Sequence, residues 1–358
     1  MSQELKIDSN ECKLLFADPI QSESAGILLR SRLQASGRRM GFSDVRRENM
    51  VLVASEMVTN LIKHAGGKGM IQVWQQPGPA LDIISFDFGP GVDDLALAQQ
   101  DGYSTSKTLG KGLGSMQRLS DEFGIYTQQE KDAKHGRWHG TALWTRFYLN
   151  KHNSAGSAGL NMPAVAQSGF EIGVFSRALN DDRFNGDKIY LQQHGAKLRL
   201  LHLDGLGHGE IAQRVTSNLG CYLSVEGLDK LLAAVDHHLT TGERGAVAIA
   251  AEFDLSKKNL NVLGVGDMSA YVYIHDSINN LSFAPGILGR EHKTPTATQL
   301  VFEKKTLFIT ASDGIRRGWD KDSFPRLFNQ HPQLIAYVLG NVMPRVTDDQ
   351  SICVIRLN

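Results

Sequence analysis

The sequence predicts two α/β domains in tandem, and three observations carry that expectation. The chain has 358 residues, long for one hydrophobic core and natural for two. Residues 150–161, NKHNSAGSAGLN, are small, polar and aperiodic, as a linker is. Helical and strand periodicities mix on both sides of that stretch, but strands dominate the second side. We therefore expect a first domain over 1–150, a linker over 151–163 and a second domain over 164–358. The first should be an α/β sandwich, one helical layer on one sheet. The second should be a β-sandwich flanked by helices.

The elements follow in order. Residues 25–33 have helical spacing, and 43–64 have it more strongly. There Ser43 suits an N-cap, and Met50, Val51, Val53, Ala54, Met57, Val58, Leu61 and Ile62 recur at helical spacing. Residues 70–74 and 81–87 predict strands, 113–123 a helix, and 124–127 and 138–149 further strands. In the second half, strands are expected at 170–178, 188–192, 198–203, 246–253, 260–264, 271–275, 306–309 and 352–357. Helices are expected at 208–219, 225–239 and 333–343.

Composition excludes several function classes. Apolar residues make up 41% and charged residues 21%, the balance of a folded chain and not a disordered one. The formal net charge is zero and no Lys/Arg stripe stands out, which disfavours nucleic acid as a partner. Apolar runs are strand-sized, too short to span a membrane. The polar, acidic start MSQELKIDSNE does not resemble a signal peptide. Cys12, Cys221 and Cys353 are odd in number and scattered, which points to a reducing cytoplasm and to neither disulfides nor zinc.

Glycine clusters beside acidic residues hold the chemistry. Glu56, Asn60 and His64 are four apart and share one face of the 43–64 helix. Asp87-Phe88-Gly89-Pro90-Gly91 follows a strand, where glycines let backbone approach a ligand. Gly110-Lys111-Gly112-Leu113-Gly114 leads into a helix, whose unpaired amides suit an anion. Gly140-Thr141 opens the closing strand.

That order, E-x-x-x-N, D-x-G-x-G, G-x-G-x-G and G-T, resembles the GHKL ATP-binding group with its Bergerat-type fold. Within it, ASEMVTNLIKHAGGKG, DFGPGVDDL and DGYSTSKTLGKGLGSMQRLSDEF resemble the RsbT-like anti-sigma-type serine/threonine kinases. The resemblance covers residues 1–150 and implies roles. Asn60 would hold the Mg²⁺ of Mg-ATP, and Asp87 would accept from the adenine amino group. Gly89 and Gly91 would shape the adenine pocket, and Thr141 would support it. Gly110, Gly112 and Gly114 would wrap the phosphates in a lid, expected to be mobile over 101–114. Glu56 would be the general base for the attacking hydroxyl, because phosphoryl transfer mostly needs positioning and charge neutralisation. His64 is expected only to cap or pack at the helix end.

The second half repeats Asp beside Gly after strands: Asn185-Gly186-Asp187, DGLGHG from Asp204, GVGD ending at Asp267, SDG at Asp313 and TDDQ at Asp348. Each pair alone suits a turn. Together, hard oxygen donors without cysteine suit Mg²⁺ or Mn²⁺. DGLGHG, GVGD, TASDGI and TDDQS resemble the PPM metal-dependent protein phosphatases, in their RsbX/SpoIIE-like branch. The resemblance implies that Asp187, Asp204 and the Gly205 carbonyl hold one ion, and that Asp204, Asp313 and Asp348 hold the other. Two ions would activate water for in-line attack on phosphorus. Asp349 is an alternative to Asp348. Asp267 would be a supporting residue or a ligand of a further ion, and His208 either meets the phosphate or caps its helix. Asp181 and Asp182 are expected in a solvated turn.

Taken together, the resemblances imply a cytoplasmic bifunctional regulator needing ATP and two divalent ions. It would phosphorylate and dephosphorylate Ser/Thr on a STAS-domain, anti-sigma-antagonist-like partner in a stressosome-type partner switch. The alternative is a phosphatase whose first domain only binds nucleotide and partner.

Overall fold

The structure, a computed structural model, describes residues 5–92, 109–133, 138–149, 169–242, 244–275 and 277–358. They fall into two compact units. One comprises the described residues of Lys13–Ala158 and Asp320–Gln330, the other those of Met1–Cys12, Gly159–Trp319 and His331–Asn358. No described helix is long and apolar enough to cross a membrane.

The first unit is an antiparallel sheet of five strands in the order β2-β3-β4-β6-β5. The strands are β2 (Lys13–Pro19), β3 (Gly69–Gln76), β4 (Ala80–Asp87), β5 (Glu122–Gln128) and β6 (Gly140–Tyr148). Helices α1 (Glu23–Arg39), α2 (Asp44–Ala65) and α3 (Leu109–Leu119) cover one face. Ser43 caps α2 by accepting the Arg46 amide, and Gly66 ends it at φ 60°, a left-handed conformation that glycine adopts readily. Met50, Val53, Ala54, Met57, Val58 and Leu61 put one stripe of α2 into the core with Ile71, Val73, Leu81 and Ile83 of the sheet. Glu56 and Asn60 fall off that stripe.

One expectation shifts here. Helix α3 starts at Leu109, so Gly110, Gly112 and Gly114 sit in its first turns and not in a loop before it. It ends at Leu119, and Phe123 belongs to β5. Of the expected lid, 101–108 lie outside the described residues.

The second unit is a sandwich of two antiparallel sheets, β1-β8-β9-β10-β11-β14 and β13-β12-β15-β16-β7. The strands of the first sheet are β1 (Lys6–Asp8), β8 (Asp187–His194), β9 (Lys197–Gly205), β10 (Ala246–Asp254), β11 (Asn259–Val265) and β14 (Thr298–Val301). Those of the second are β7 (Phe170–Arg177), β12 (Ser269–Ile274), β13 (Ser277–Leu281), β15 (Leu307–Ala311) and β16 (Gln350–Leu357). Helices α4 (Gly209–Thr216) and α5 (Leu228–Thr240) lie on the first sheet, and α6 (Pro332–Val342) packs on β7 and β16. Sequence periodicity does not reveal β1. Its three residues pair with Gln192, Leu191 and Tyr190 of β8, so the chain start extends the second unit's sheet.

Strand alternation places the second site. On β9, Leu198 and Leu200 point between the sheets, while Leu201 and Leu203 point at the helices. His202 and Asp204 share the parity of the inter-sheet stripe. On β8, Ile189 and Leu191 lead back to Asp187; on β16, Ile355 and Cys353 lead back to Ser351 and Asp349. Each stripe turns from apolar to polar toward the same end of the sandwich.

The first unit also buries an ion pair. Arg146 on β6 donates to both oxygens of the fully buried Asp82 on β4, at 2.7 and 2.8 Å. Arg146→Leu would leave that carboxylate without its guanidinium. We expect a loss of about 3–5 kcal/mol in urea denaturation of this unit. The added change Asp82→Asn should restore much of it. A single-variant loss under about 1 kcal/mol would show the pair to be dispensable.

Candidate active sites

The first site is built on Asp87, at the end of β4. Its Oδ1 accepts the amides of Gly89 at 2.9 Å and Thr141 at 3.0 Å. Burial raises the carboxyl above its ordinary value, and the two amides and His139 work against that. Trp138 donates its indole N–H to the Asp87 carbonyl at 3.0 Å, and the His139 ring meets the Gly89 carbonyl at 2.8 Å. A Cβ on Gly140 would stand 2.2 Å from the Asp87 carbonyl oxygen, and one on Gly91 would stand 2.7 Å from that of Gln128. Both positions require glycine for close approach. Thr127 ties the floor together, accepting the Val92 amide and donating to the Gly140 carbonyl.

Glu56 and Asn60 lie on α2, one turn apart. A Cβ on Gly112 would stand 2.7 Å from Glu56 Oε2, so α3 sits directly against the carboxylate. The buried Asn60 Nδ2 and His64 Nε2 find no hydrogen-bond partner among the described residues. Burial lowers the His64 pKa, assisted by Lys63. An orphaned amide beside a carboxylate and a helix start fits a Mg²⁺-nucleotide, whose oxygens and waters would satisfy it. Asn60 would hold the ion there.

The second site gathers at the polar end of the sandwich. Asp187 and Asp204 are direct cross-strand partners on β8 and β9, a repulsive pairing for two like charges. The Asp313 amide reaches Asp204 Oδ2 at 3.4 Å. Burial, then the charges of Asp187, Asp313 and Asp348, holds Asp204 well above the carboxylate range. Burial pushes Asp187 up to about 7, with Ser312 and Ser351 opposing by hydrogen bonds and Asp349 and Asp348 adding to the rise. Asp313 is raised by burial, Asp348 and Asp267, and lowered by Arg345 and Arg317. Four carboxylates that disfavour one another's charge are a donor set for hard dications. Among the described residues no three His, Cys, Asp or Glu side chains are already arranged to hold an ion. The all-oxygen chemistry of the set fits Mg²⁺ or Mn²⁺.

Asp348 and Asp349 part company here. The buried Asp349 accepts the amides of Leu179 at 2.7 Å and Gly186 at 2.6 Å, one on each oxygen. A Cβ on Gly314 would stand 1.7 Å from its carbonyl oxygen. It is committed to holding the strand ends. Asp348 is half-buried and, among the described residues, accepts just the amide of Asp349, at 2.9 Å, through Oδ1. Asp348 is therefore the better ligand candidate. Gly205 ends β9, where its amide bonds the Gly186 carbonyl at 3.3 Å. The Asp267 carbonyl accepts from the Arg317 guanidinium. His208 is exposed and precedes α4 without a side-chain cap bond. Asp181 pairs with Arg177 at 2.5 and 2.8 Å, and Asp182 accepts the Arg183 amide, an ordinary exposed turn. Sequence reading missed Trp138, His139, Thr127, Ser312, Ser351, His202, Arg317 and Arg345. For Ser351 and His202, the signal was strand parity with Asp349 and Asp204.

With both geometries in view, comparison with known proteins is decisive for the first unit. A model of the histidine kinase-like ATPase domain matches residues 22–142. The serine/threonine-protein kinase RsbT of Bacillus subtilis (strain 168) is 38% identical over 91 residues, 25% of this chain and 68% of that kinase. The chain belongs to the histidine kinase-like ATPase family. Solved structures resemble parts or most of the chain in fold. RsbX in complex with magnesium is 16% identical, covering 53% of this chain and 96% of its own, at a TM-score of 0.46. The PP2C phosphatase domain with a regulatory fragment of SpoIIE from Bacillus subtilis is 14% identical, covering 94% and 96%, at 0.44. A structure described under the bacterial stressosome is 23% identical, covering 52% and 99%, at 0.49. The chain thus carries an RsbT-like, histidine kinase-like ATPase unit.

Two predictions arise from these geometries. Gly112→Ala would place a methyl group against Glu56, which can swing aside at small cost to stability. We expect ATP affinity within about threefold of wild type and phosphoryl transfer reduced by about 100-fold, as misplacement by about 1 Å does. Unchanged transfer in a radiolabelled-ATP assay would remove Glu56 from the chemistry. The second concerns pH. The native state of the metal-free protein keeps protons on Asp187 and Asp204 that the unfolded chain has released. Its stability should fall as pH rises from the ordinary value of 3.8 to about 7. Melting in EDTA should show that fall, Mn²⁺ should stabilise most near and above pH 7, and Asp204→Asn should flatten the profile. A flat profile for wild type in EDTA would contradict the assignment.

Proposed function

We propose that the chain is a bifunctional regulator that phosphorylates, and removes phosphate from, serine or threonine on a STAS-domain partner in a bacterial stress-response partner switch. The observation that supports it most directly is the presence of two acidic clusters in one chain. Glu56 stands against the glycine-rich start of α3, and four aspartates converge on one end of a sandwich. RsbT is a serine/threonine kinase by name, which supports the same chemistry in the first unit.

In the kinase half, Asp87 would accept from the adenine amino group while its Oδ1 stays fixed by backbone amides. Gly89, Gly91 and Thr141 shape and brace that pocket, and Gly110, Gly112 and Gly114 bring the amides of α3 to the phosphates. Glu56 would take the proton of the attacking hydroxyl. In the phosphatase half, Asp187, Asp204, the Gly205 carbonyl, Asp313 and Asp348 would hold two divalent ions, Mg²⁺ or Mn²⁺. Bound there, the ions supply Lewis acidity and an activated water. Arg317 and Arg345, close enough to Asp313 to lower its pKa, add positive charge where a phosphate would arrive. The chemistry suits a cytoplasm, where ATP and STAS-domain partners meet, and a stressosome-like assembly is the fitting context.

The test follows phosphate on the partner by intact mass. Purified protein is incubated with ATP, Mg²⁺ or Mn²⁺, and the STAS-domain protein encoded nearest to it. Phosphate should appear, accumulate further with Asp204→Ala, and vanish with Glu56→Ala. If none ever appears yet a pre-phosphorylated partner is cleared, the first unit only binds nucleotide and partner, and the chain is a phosphatase.

A further inference from the structure

The second unit draws its acidic groups from both sheets. Asp187 and Asp204 belong to β8 and β9, whereas Asp313 and Asp348 adjoin β15 and β16. Two sheets held only by apolar contact have no directional constraint on their relative register at ångström scale. Yet fully buried polar groups meet between them, with His202 at the centre. His202 on β9 has no exposed surface and lies on the inter-sheet stripe with Leu198 and Leu200. Its Nδ1 lies 2.8 Å from Thr310 Oγ1 on β15, and its Nε2 lies 2.8 Å from Ser351 Oγ on β16. Ser351 Oγ in turn donates to Asp187 Oδ2 at 2.7 Å.

The direction of this chain can be deduced. A serine hydroxyl has one hydrogen. With Asp187 ionised, as metal binding requires, Ser351 gives it to that carboxylate, so it must accept from His202, and Nε2 carries the proton. The ring has no exposed surface and both its nitrogens meet hydroxyls, an environment for the neutral imidazole, so Nδ1 is an acceptor. Thr310 then donates to Nδ1. The chain runs Thr310 to His202 to Ser351 to Asp187, each hydroxyl or ring donating onward. It crosses from one sheet to the other and back, and ends on a carboxylate of the proposed metal set. Ser312 hydrogen-bonds the same carboxylate, and accepts the Ser351 amide at 3.0 Å.

Building on the phosphatase reading, we infer that His202 is a positioning residue that fixes Asp187 for metal binding through Ser351, and so sets the register of the two sheets at the metal end. An apolar side chain in its place would fill the core without that directional link. Partners of this kind, one shell behind a ligand, change metal affinity by about 10–100-fold when removed.

The test uses the full-length chain and Mn²⁺ as the probe. Binding is measured by calorimetry for wild type, His202→Phe, Ser351→Ala and the double variant, with circular dichroism confirming that each is folded. Mn²⁺ affinity should fall about tenfold in each single variant. The double variant should fall no further, because both changes cut one chain. Hydrolysis of p-nitrophenyl phosphate at saturating Mn²⁺ should recover in His202→Phe. Ring ¹⁵N shifts should show the Nε2–H tautomer in wild type, and Thr310→Val, which keeps shape, should weaken that preference. Folded single variants that bind Mn²⁺ within twofold of wild type would reduce His202 to core filling, as would additive losses in the double variant. An Nδ1–H tautomer would reverse the chain and overturn the inference. Wild type that neither binds Mn²⁺ nor hydrolyses the ester would end the phosphatase reading itself, and this inference with it.

Discussion

Close approach between carboxylates and backbone without Cβ is the constraint on which both sites depend. Phosphate chemistry needs charge held still in places where water is scarce. A carboxylate is held still most firmly by backbone amides, and amides become reachable where the chain has no side chain in the way. Asp87 takes the Gly89 amide, with Gly140 pressed against it from β6. Glu56 meets α3 at Gly112, and Asp349 is seated between Gly186 and Gly314. At each position the glycine decides how near two elements come. The acidic residue decides what the contact is for.

The second unit adds a different requirement, that repulsive groups stay together. Asp187 and Asp204 face each other across neighbouring strands, where like charges are unfavourable. The surrounding fold tolerates this because one end of the sandwich is polar by design of its stripes. Leu198, Leu200, His202 and Asp204 follow one another at alternate positions, apolar first and charged last. The apolar end supplies burial energy at about 25 cal/mol per Å². The polar end is stabilised by hydrogen bonds from Ser312, Ser351 and backbone amides, and bound dications would remove the remaining repulsion.

Much of this was legible in the sequence, for identifiable reasons. The α2 stripe from Met50 to Leu61 has a clean helical period, so Glu56 and Asn60 could be placed off the core. Asp-Gly pairs after apolar runs marked strand ends. The start of α3 was misplaced because Gly110, Gly112 and Gly114 suggest a loop by propensity, while packing against α2 holds them helical. The short β1 was invisible because the strand it pairs with, β8, lies about 180 residues away and three residues carry no period. The resemblance favoured Asp348 as ligand and kept Asp349 as the alternative, since neighbours in a chain look alike. The Leu179 and Gly186 amides occupy Asp349, which supports Asp348 as the candidate ligand.

His202 shows why composition alone undervalues buried polar groups. A lone histidine in an apolar strand is usually a satisfied core residue, and His202 is satisfied. What distinguishes it is where its bonds lead. Its two partners stand on the opposite sheet, and one of them passes the connection back to Asp187. Apolar packing can hold two sheets together and still leave their sliding soft. A donor–acceptor chain that closes through both sheets is stiff along that coordinate, because a shift of a few tenths of an ångström lengthens several hydrogen bonds at once. A site assembled from the ends of four strands needs stiffness along that coordinate more than it needs further burial.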